Sequence, residues 1–198
     1  SSAVIFGTEK EYRSEKVPLE EGISNNLIFS IYQDSRGFIW YGTMFGLIKY
    51  DGINYTTFRY DPADTTTISN DDVISICEDK SGNLWIGTYF GGLNRLNRST
   101  GKFTRFIHND NDKTSLSNNT VWAMVSDSAG NMWFGTNGGG LNKFSNGIFT
   151  RYQYDSTNKA SISSNMVLAL AAGSDGILWI GTAGGGLNKF DPGTGIFT

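Results

Sequence analysis

Glycines followed by a lysine invite a phosphate-binding reading, and the run "GGGLNKF" occurs twice, at 138–144 and 184–190, with a near copy, "GGLNRL", from Gly91. A Walker-type loop needs Gly-x-x-x-x-Gly-Lys followed by Ser or Thr, so that backbone amides wrap the phosphates and the hydroxyl reaches a metal. Here Leu141 and Asn142 follow the last glycine and no helical pattern comes after them. The dinucleotide fingerprint fails for the same reason, since its glycines must open a helix after a parallel strand. The other reactive residue types are sparse. His108 is the only histidine and cannot build a metal cluster alone. Asp110 and Asp112 beside it lack the glycine and terminal glutamate of a calcium loop. Cys77 is the one cysteine, so no internal disulfide forms, and its setting "VISICED" reads as a buried structural thiol. No Ser, Cys or Lys shows an activating partner in sequence. Asp34, Asp79 and Asp127 recur, with Gly173 in the fourth copy, ahead of turn residues such as Ser-Arg-Gly and Lys-Ser-Gly. A short carboxylate there reads as turn capping. Carboxylate pairs for glycoside chemistry converge in space and leave no mark in sequence. The residues therefore predict no catalytic group, no metal and no cofactor.

The elements that hold these residues come from a repeat. "GFIWYGTMFGLIKYD", "GNLWIGTYFGGLNRLN", "GNMWFGTNGGGLNKFS" and "GILWIGTAGGGLNKFD" align on Trp40, Trp85, Trp133 and Trp179, which are 45, 48 and 46 residues apart. Upstream of each lies "ISNNLIFSIYQD", "ISNDDVISICED", "LSNNTVWAMVSD" or "ISSNMVLALAAG"; downstream comes "YTTFRY", "KFTRF", "IFTRY" or "IFT". Each unit thus offers four short strands separated by turn signals. Four strands in a unit of about 45 residues is the pattern of a β-propeller blade. The expected fold class is all-β, four four-stranded antiparallel blades belonging to a larger or oligomer-completed propeller. The repeats run at about 22–60, 66–107, 114–153 and 160–198, after an extension over 1–21 with a ring-closing strand. In the second unit the strands, A to D outward from the axis, are expected at 73–78, 84–87, 92–96 and 103–107.

Strand A has a small central residue in every unit (Ser30, Ser75, Ala123, Ala169), read as crowding toward the axis. The tryptophans share one strand-B position and read as blade-to-blade packing. The glycine run becomes the B–C hairpin: residues 136–139 supply positive backbone angles, and Gly140 lets strand C begin where a side chain would meet the adjacent blade. The tip varies between units, as Met44-Phe45, Tyr89-Phe90, Asn137-Gly138 and Ala183-Gly184. B–C and D–A connections emerge on one face of a propeller, so Phe45, Tyr89, Phe90 and Asn137 are candidate ligand contacts there. Asn25, Asn70, Asn118 and Asn165, at the entrance to strand A, read first as turn chemistry and second as partners for sugar hydroxyls.

Net charge is −3 and no segment carries a run of Lys or Arg, so the electrostatic footprint for a nucleic-acid backbone is missing. No apolar stretch has the length of a membrane span, and the start lacks a full export-signal pattern. The chain reads as a soluble segment whose export signal or anchor lies outside it.

The combined Trp-x-Gly-Thr and Gly-Leu-Asn motifs, with "ISNN" blocks ahead of them, resemble the two-component regulator propeller repeat from about Gly22 to Thr198. The opening "EYRSEKVPLEEGISNN" is similar to the start of the first propeller in such proteins. The resemblance implies the periplasmic sensor region of a hybrid two-component regulator, as in glycan-degrading gut bacteria, followed elsewhere by a β-domain, a membrane span, a histidine kinase and DNA-binding modules. Such rings usually have about seven blades. Four open blades would leave two faces to cover, so self-association is expected. The expected function is non-catalytic sensing of an oligosaccharide or glycan-derived ligand. The alternatives are a propeller lyase or hydrolase acting on polysaccharide, and a protein-interaction scaffold.

Overall fold

The computed structural model describes residues 27–198. Asn25 and the ring-closing strand expected over 1–21 lie outside them. Within the described residues the chain forms four four-stranded antiparallel sheets and no helix, each sheet a meander in sequence order. The first blade is β1 (Ile28–Gln33), β2 (Ile39–Thr43), β3 (Gly46–Tyr50) and β4 (Tyr55–Phe58). The second is β5 (Val73–Glu78), β6 (Leu84–Thr88), β7 (Leu93–Asn97) and β8 (Lys102–Phe106), within one residue of expectation at every end. The third is β9 (Val121–Ser126), β10 (Met132–Thr136), β11 (Leu141–Ser145) and β12 (Ile148–Tyr152). The fourth is β13 (Val167–Ala172), β14 (Leu178–Thr182), β15 (Gly186–Asp191) and β16 (Ile196–Phe197). The first strands β1, β5, β9 and β13 pack successively on one another, as the innermost strands of a propeller do.

Three apolar layers fill the spaces between blades. Trp40 packs with Val73, Leu84 and Ile86; Trp85 with Val121, Met132 and Phe134; Trp133 with Val167, Leu178 and Ile180. Each tryptophan therefore faces the following blade and is at most 2% exposed. Trp179 is 43% exposed, because no described blade lies against its side of the fourth sheet. Leu187, on the same side, is also exposed.

The small residues of strand A have a different cause from the one expected. Ser75 does not crowd the axis; it faces the next blade, where its Oγ donates to the Val121 carbonyl at 2.7 Å. Gly87, its cross-strand partner, lies under the same carbonyl, and a Cβ there would stand 2.6 Å from that oxygen. The Gly of Trp-x-Gly-Thr is thus the hollow into which the next blade's first strand fits.

The glycine run is a hairpin, with corrections in detail. Gly138 and Gly140 take positive φ, whereas Thr136, Asn137 and Gly139 do not. What obstructs a side chain at Gly140 is chiefly the carbonyl of Tyr152 in its own blade, not the neighbouring blade. Gly139 is kept bare by the hydroxyls of Ser117 and Thr136. Those hydroxyls belong to a repeated buried network: Asn142 Oδ1 accepts from the Ser117 amide at 3.0 Å, and its Nδ2 donates to Ser117 Oγ at 2.7 Å. Asn94 with Ser69 and Asn188 with Ser163 repeat the pair. The lysine that suggested phosphate instead places Nζ 5.4 Å from the centroid of the Trp133 ring.

Candidate functional site

Each innermost strand begins with a β-bulge. The register slips between Ile28 and Ser30, Val73 and Ser75, Val121 and Ala123, and Val167 and Ala169, leaving Phe29, Ile74, Trp122 and Leu168 as the extra residues. A bulge re-aims a side chain that a regular strand would place on a blade face. Phe29, Ile74 and Trp122 accordingly converge from three consecutive blades on one cavity of about 250 Å³. Met44 and Tyr89, from the β2–β3 and β6–β7 turns, complete its apolar wall. Asp72, the residue before β5, supplies the one carboxylate, and no described group hydrogen-bonds its side-chain oxygens.

Tyr89 anchors an aromatic ladder along the rim. Its ring centroid lies 5.8 Å from Trp122 and 4.2 Å from Phe90. Phe90 is 66% exposed and has φ +67°, a left-handed conformation that side chains with a Cβ resist. Its amide donates to Thr120 Oγ1 at 3.1 Å, which pins the turn to the following blade. The third and fourth units carry glycine at that place, Gly138 and Gly184, both with positive φ. A strained, exposed aromatic where two of its three counterparts are glycine makes Phe90 a candidate contact.

Of the residues proposed from sequence, Tyr89 lines the cavity and Phe90 packs on Tyr89. Phe45 sits beside Met44 in the shorter first turn, with its amide donating to Thr43 Oγ1 at 3.0 Å. Asn137 holds the equivalent turn of the third blade, bridged to Met166. Asn70 and Asn118 have their side-chain oxygens taken by the amides of Asp72 and Thr120 at 2.8 Å, which is turn chemistry. Asn165 belongs one position later than those two: its Oδ1 accepts from the Tyr154 amide at 2.7 Å, as Asp71 accepts from Tyr60 and Asn119 from His108. Sequence reasoning missed Phe29, Trp122 and Asp72. The signal was present in the position after the first Val or Ile of strand A, which is bulky yet different in every unit.

No catalytic constellation accompanies the cavity among the described residues. His108 lies in the loop after β8, where Nδ1 is 2.7 Å from the Leu116 carbonyl and Nε2 is 2.9 Å from Asp110. Burial raises the Cys77 thiol to about 11, far from a reactive thiolate. The recurrent aspartates cap turns, as expected, and do more: Trp40, Trp85 and Trp133 each donate an indole N–H to Asp34, Asp79 and Asp127 at 2.8 Å.

The sequence profile described as two component regulator propeller matches residues 22–45, 67–90, 115–138 and 161–184, once in each unit. Every blade of this chain is a two-component regulator propeller repeat. Similar folds are found among solved structures. The extracellular domain of a hybrid two-component system from B. thetaiotaomicron is 25% identical with a TM-score of 0.70, over 87% of this chain and 25% of that one. A second such domain from B. thetaiotaomicron is similar in fold, with a TM-score of 0.63 at 23% identity over 91% of this chain and 31% of that one. Histidine kinase P4 of Formosa agariphila is 41% identical over 48 residues, 24% of this chain and 4% of that protein. The chain therefore spans only a small part of these relatives. As a two-component regulator propeller it is a sensor-like domain related to the extracellular parts of hybrid two-component systems.

Proposed function

We propose that this propeller segment is a non-catalytic sensor that takes a glycan-derived ligand in the cavity between Phe29, Tyr89 and Trp122. The cavity itself carries the reading. Aromatic rings offer flat apolar surface to the C–H faces of a sugar, and the carboxylate of Asp72, which no described group engages, would accept from its hydroxyls. The relatives' extracellular placement supports an extracytoplasmic, periplasmic location for this segment. In the whole protein the signal would pass to a histidine kinase, and the ligand would act by binding one arrangement of the sensor more tightly than another.

A glycan array with a parallel product assay, followed by calorimetry on the best ligand, tests this. Tyr89→Ala and Trp122→Ala are each expected to weaken binding about tenfold, with no cleavage product formed. Unchanged affinity in both variants would remove the site from this cavity. A cleavage product would favour the lyase or hydrolase reading.

A further inference from the structure

The ends of the blades away from the axis cavity carry the β1–β2, β5–β6 and β7–β8 turns, and arginines gather there between the first two blades. Arg98, after β7, is buried, its side chain 8% exposed, with Nη1 3.1 Å from Asp34 Oδ2 and Nη2 3.0 Å from Glu78 Oε1. Both carboxylates are already engaged. Asp34 accepts from the Trp40 indole and from the amides of Arg36 and Phe38. Glu78 accepts from the amide and hydroxyl of Ser35. The two ion pairs hold the Arg98 guanidinium, whose nitrogens are wholly enclosed, and consume the nearest carboxylates.

Arg98 shares a cavity of about 370 Å³ with Arg36 and Arg95, and its wall is otherwise polar, including Ser81, Asn83 and Ser99. Among the described residues no carboxylate pairs with Arg36 or Arg95. Arg95 is held on strand β7 with its guanidinium carbon 5.6 Å from the centroid of the Trp85 ring. Asp34 and Glu78 neutralise Arg98 and neither lines this cavity, so its surface presents the guanidinium groups of Arg36 and Arg95 beside neutral polar groups.

We propose that this cavity binds an oxyanion, specifically the carboxylate or sulfate group of an acidic sugar. Arginine forks match planar and tetrahedral oxyanions with paired hydrogen bonds. Arg36 and Arg95 would hold the anion, and the volume leaves room for a sugar ring behind the charged group. The site stands apart from the aromatic cavity and does not depend on it.

Calorimetric titration at fixed ionic strength with sodium sulfate, glucuronate and glucose tests the assignment. Sulfate and glucuronate are expected to bind and glucose not. Arg36→Ala, at an exposed turn position, and Arg95→Gln are each expected to weaken both anions about tenfold, while Tyr89→Ala leaves them unchanged. Failure of both anions to bind the wild type, or equal binding by both arginine variants, overturns the proposal. Binding of sulfate without glucuronate overturns the assignment to an acidic sugar.

Discussion

The indole N–H of Trp133 donates to Oδ2 of Asp127 across 2.8 Å, joining the end of one strand to the middle of the next. Burial pushes the Asp127 carboxyl up, but hydrogen bonds from Trp133, the Asn131 side chain and the amides of Asn131 and Ala129 outweigh it and hold it below its ordinary value. A carboxyl depressed in the folded state contributes stability above its unfolded pKa of about 3.9 and loses it as the pH falls through the folded value. Urea unfolding should therefore show stability dropping below about pH 4. Asp127→Asn should be less stable than wild type at pH 7 and show a shallower acid dependence. Parallel pH profiles for the two proteins would contradict this.

Trp133 and Trp179 occupy the same strand position but not the same environment. Trp133 is fully buried and bonded to Asp127, whereas Trp179 is 43% exposed and has Gly173 where the aspartate would be. Trp133→Ala is expected to cost about 3–5 kcal/mol in chemical denaturation. Trp179→Ala should cost less, about 2 kcal/mol, since much of its area is not withdrawn from water. Iodide should quench Trp179 more readily than Trp40, Trp85 or Trp133, with Trp122 in the open cavity as the other accessible indole, and Trp179→Phe should lower the quenchable signal.

Gly87 and Gly181 make a second matched pair. A Cβ at Gly87 would run into Ser75 Oγ, which is bonded to the next blade, and stand 2.6 Å from the Val121 carbonyl, while at Gly181 the nearest atom is the Ala169 Cβ at 3.3 Å. Gly87→Ala is expected to destabilise by about 2–3 kcal/mol through overpacking of the blade interface. Gly181→Ala should change the thermal midpoint little. Similar losses for both would show that strand geometry, not the neighbouring blade, sets the requirement.

Phe90 holds φ +67°, so Phe90→Gly should raise stability by about 1 kcal/mol by relieving a left-handed non-glycine residue. The same change should weaken ligand binding, because the ring that extends the Tyr89 surface is lost. A variant both less stable and equally competent in binding would argue that Phe90 only covers the turn.

Much of the fold is legible in the residues alone. The Trp-to-Trp period marks out the four blades, and glycine, asparagine and aspartate at fixed offsets mark the turns. The capping role of Asp34, Asp79 and Asp127 follows from the residues that come after them. Their bonds to Trp40, Trp85 and Trp133, six residues on, are written in the same spacing but need the hairpin to bring carboxylate and indole together. The misplacement of Asn165 beside Asn70 and Asn118 comes from matching residue type over register. Its bond to the Tyr154 amide identifies it with Asp71 and Asn119.

The order of residues is enough to set the number of units, the strand order and the positions that turn the chain, because these depend on local periodicity and backbone preference. What the units do together is decided in three dimensions. An alternating pattern tells which side chains share a face, but a bulge adds one residue and sends Phe29, Ile74 and Trp122 toward the axis without changing composition. Arg36 and Arg98 lie 62 residues apart in number and share one cavity only because adjacent blades stack. Convergence of that kind is set by packing between sheets, which no local signal records.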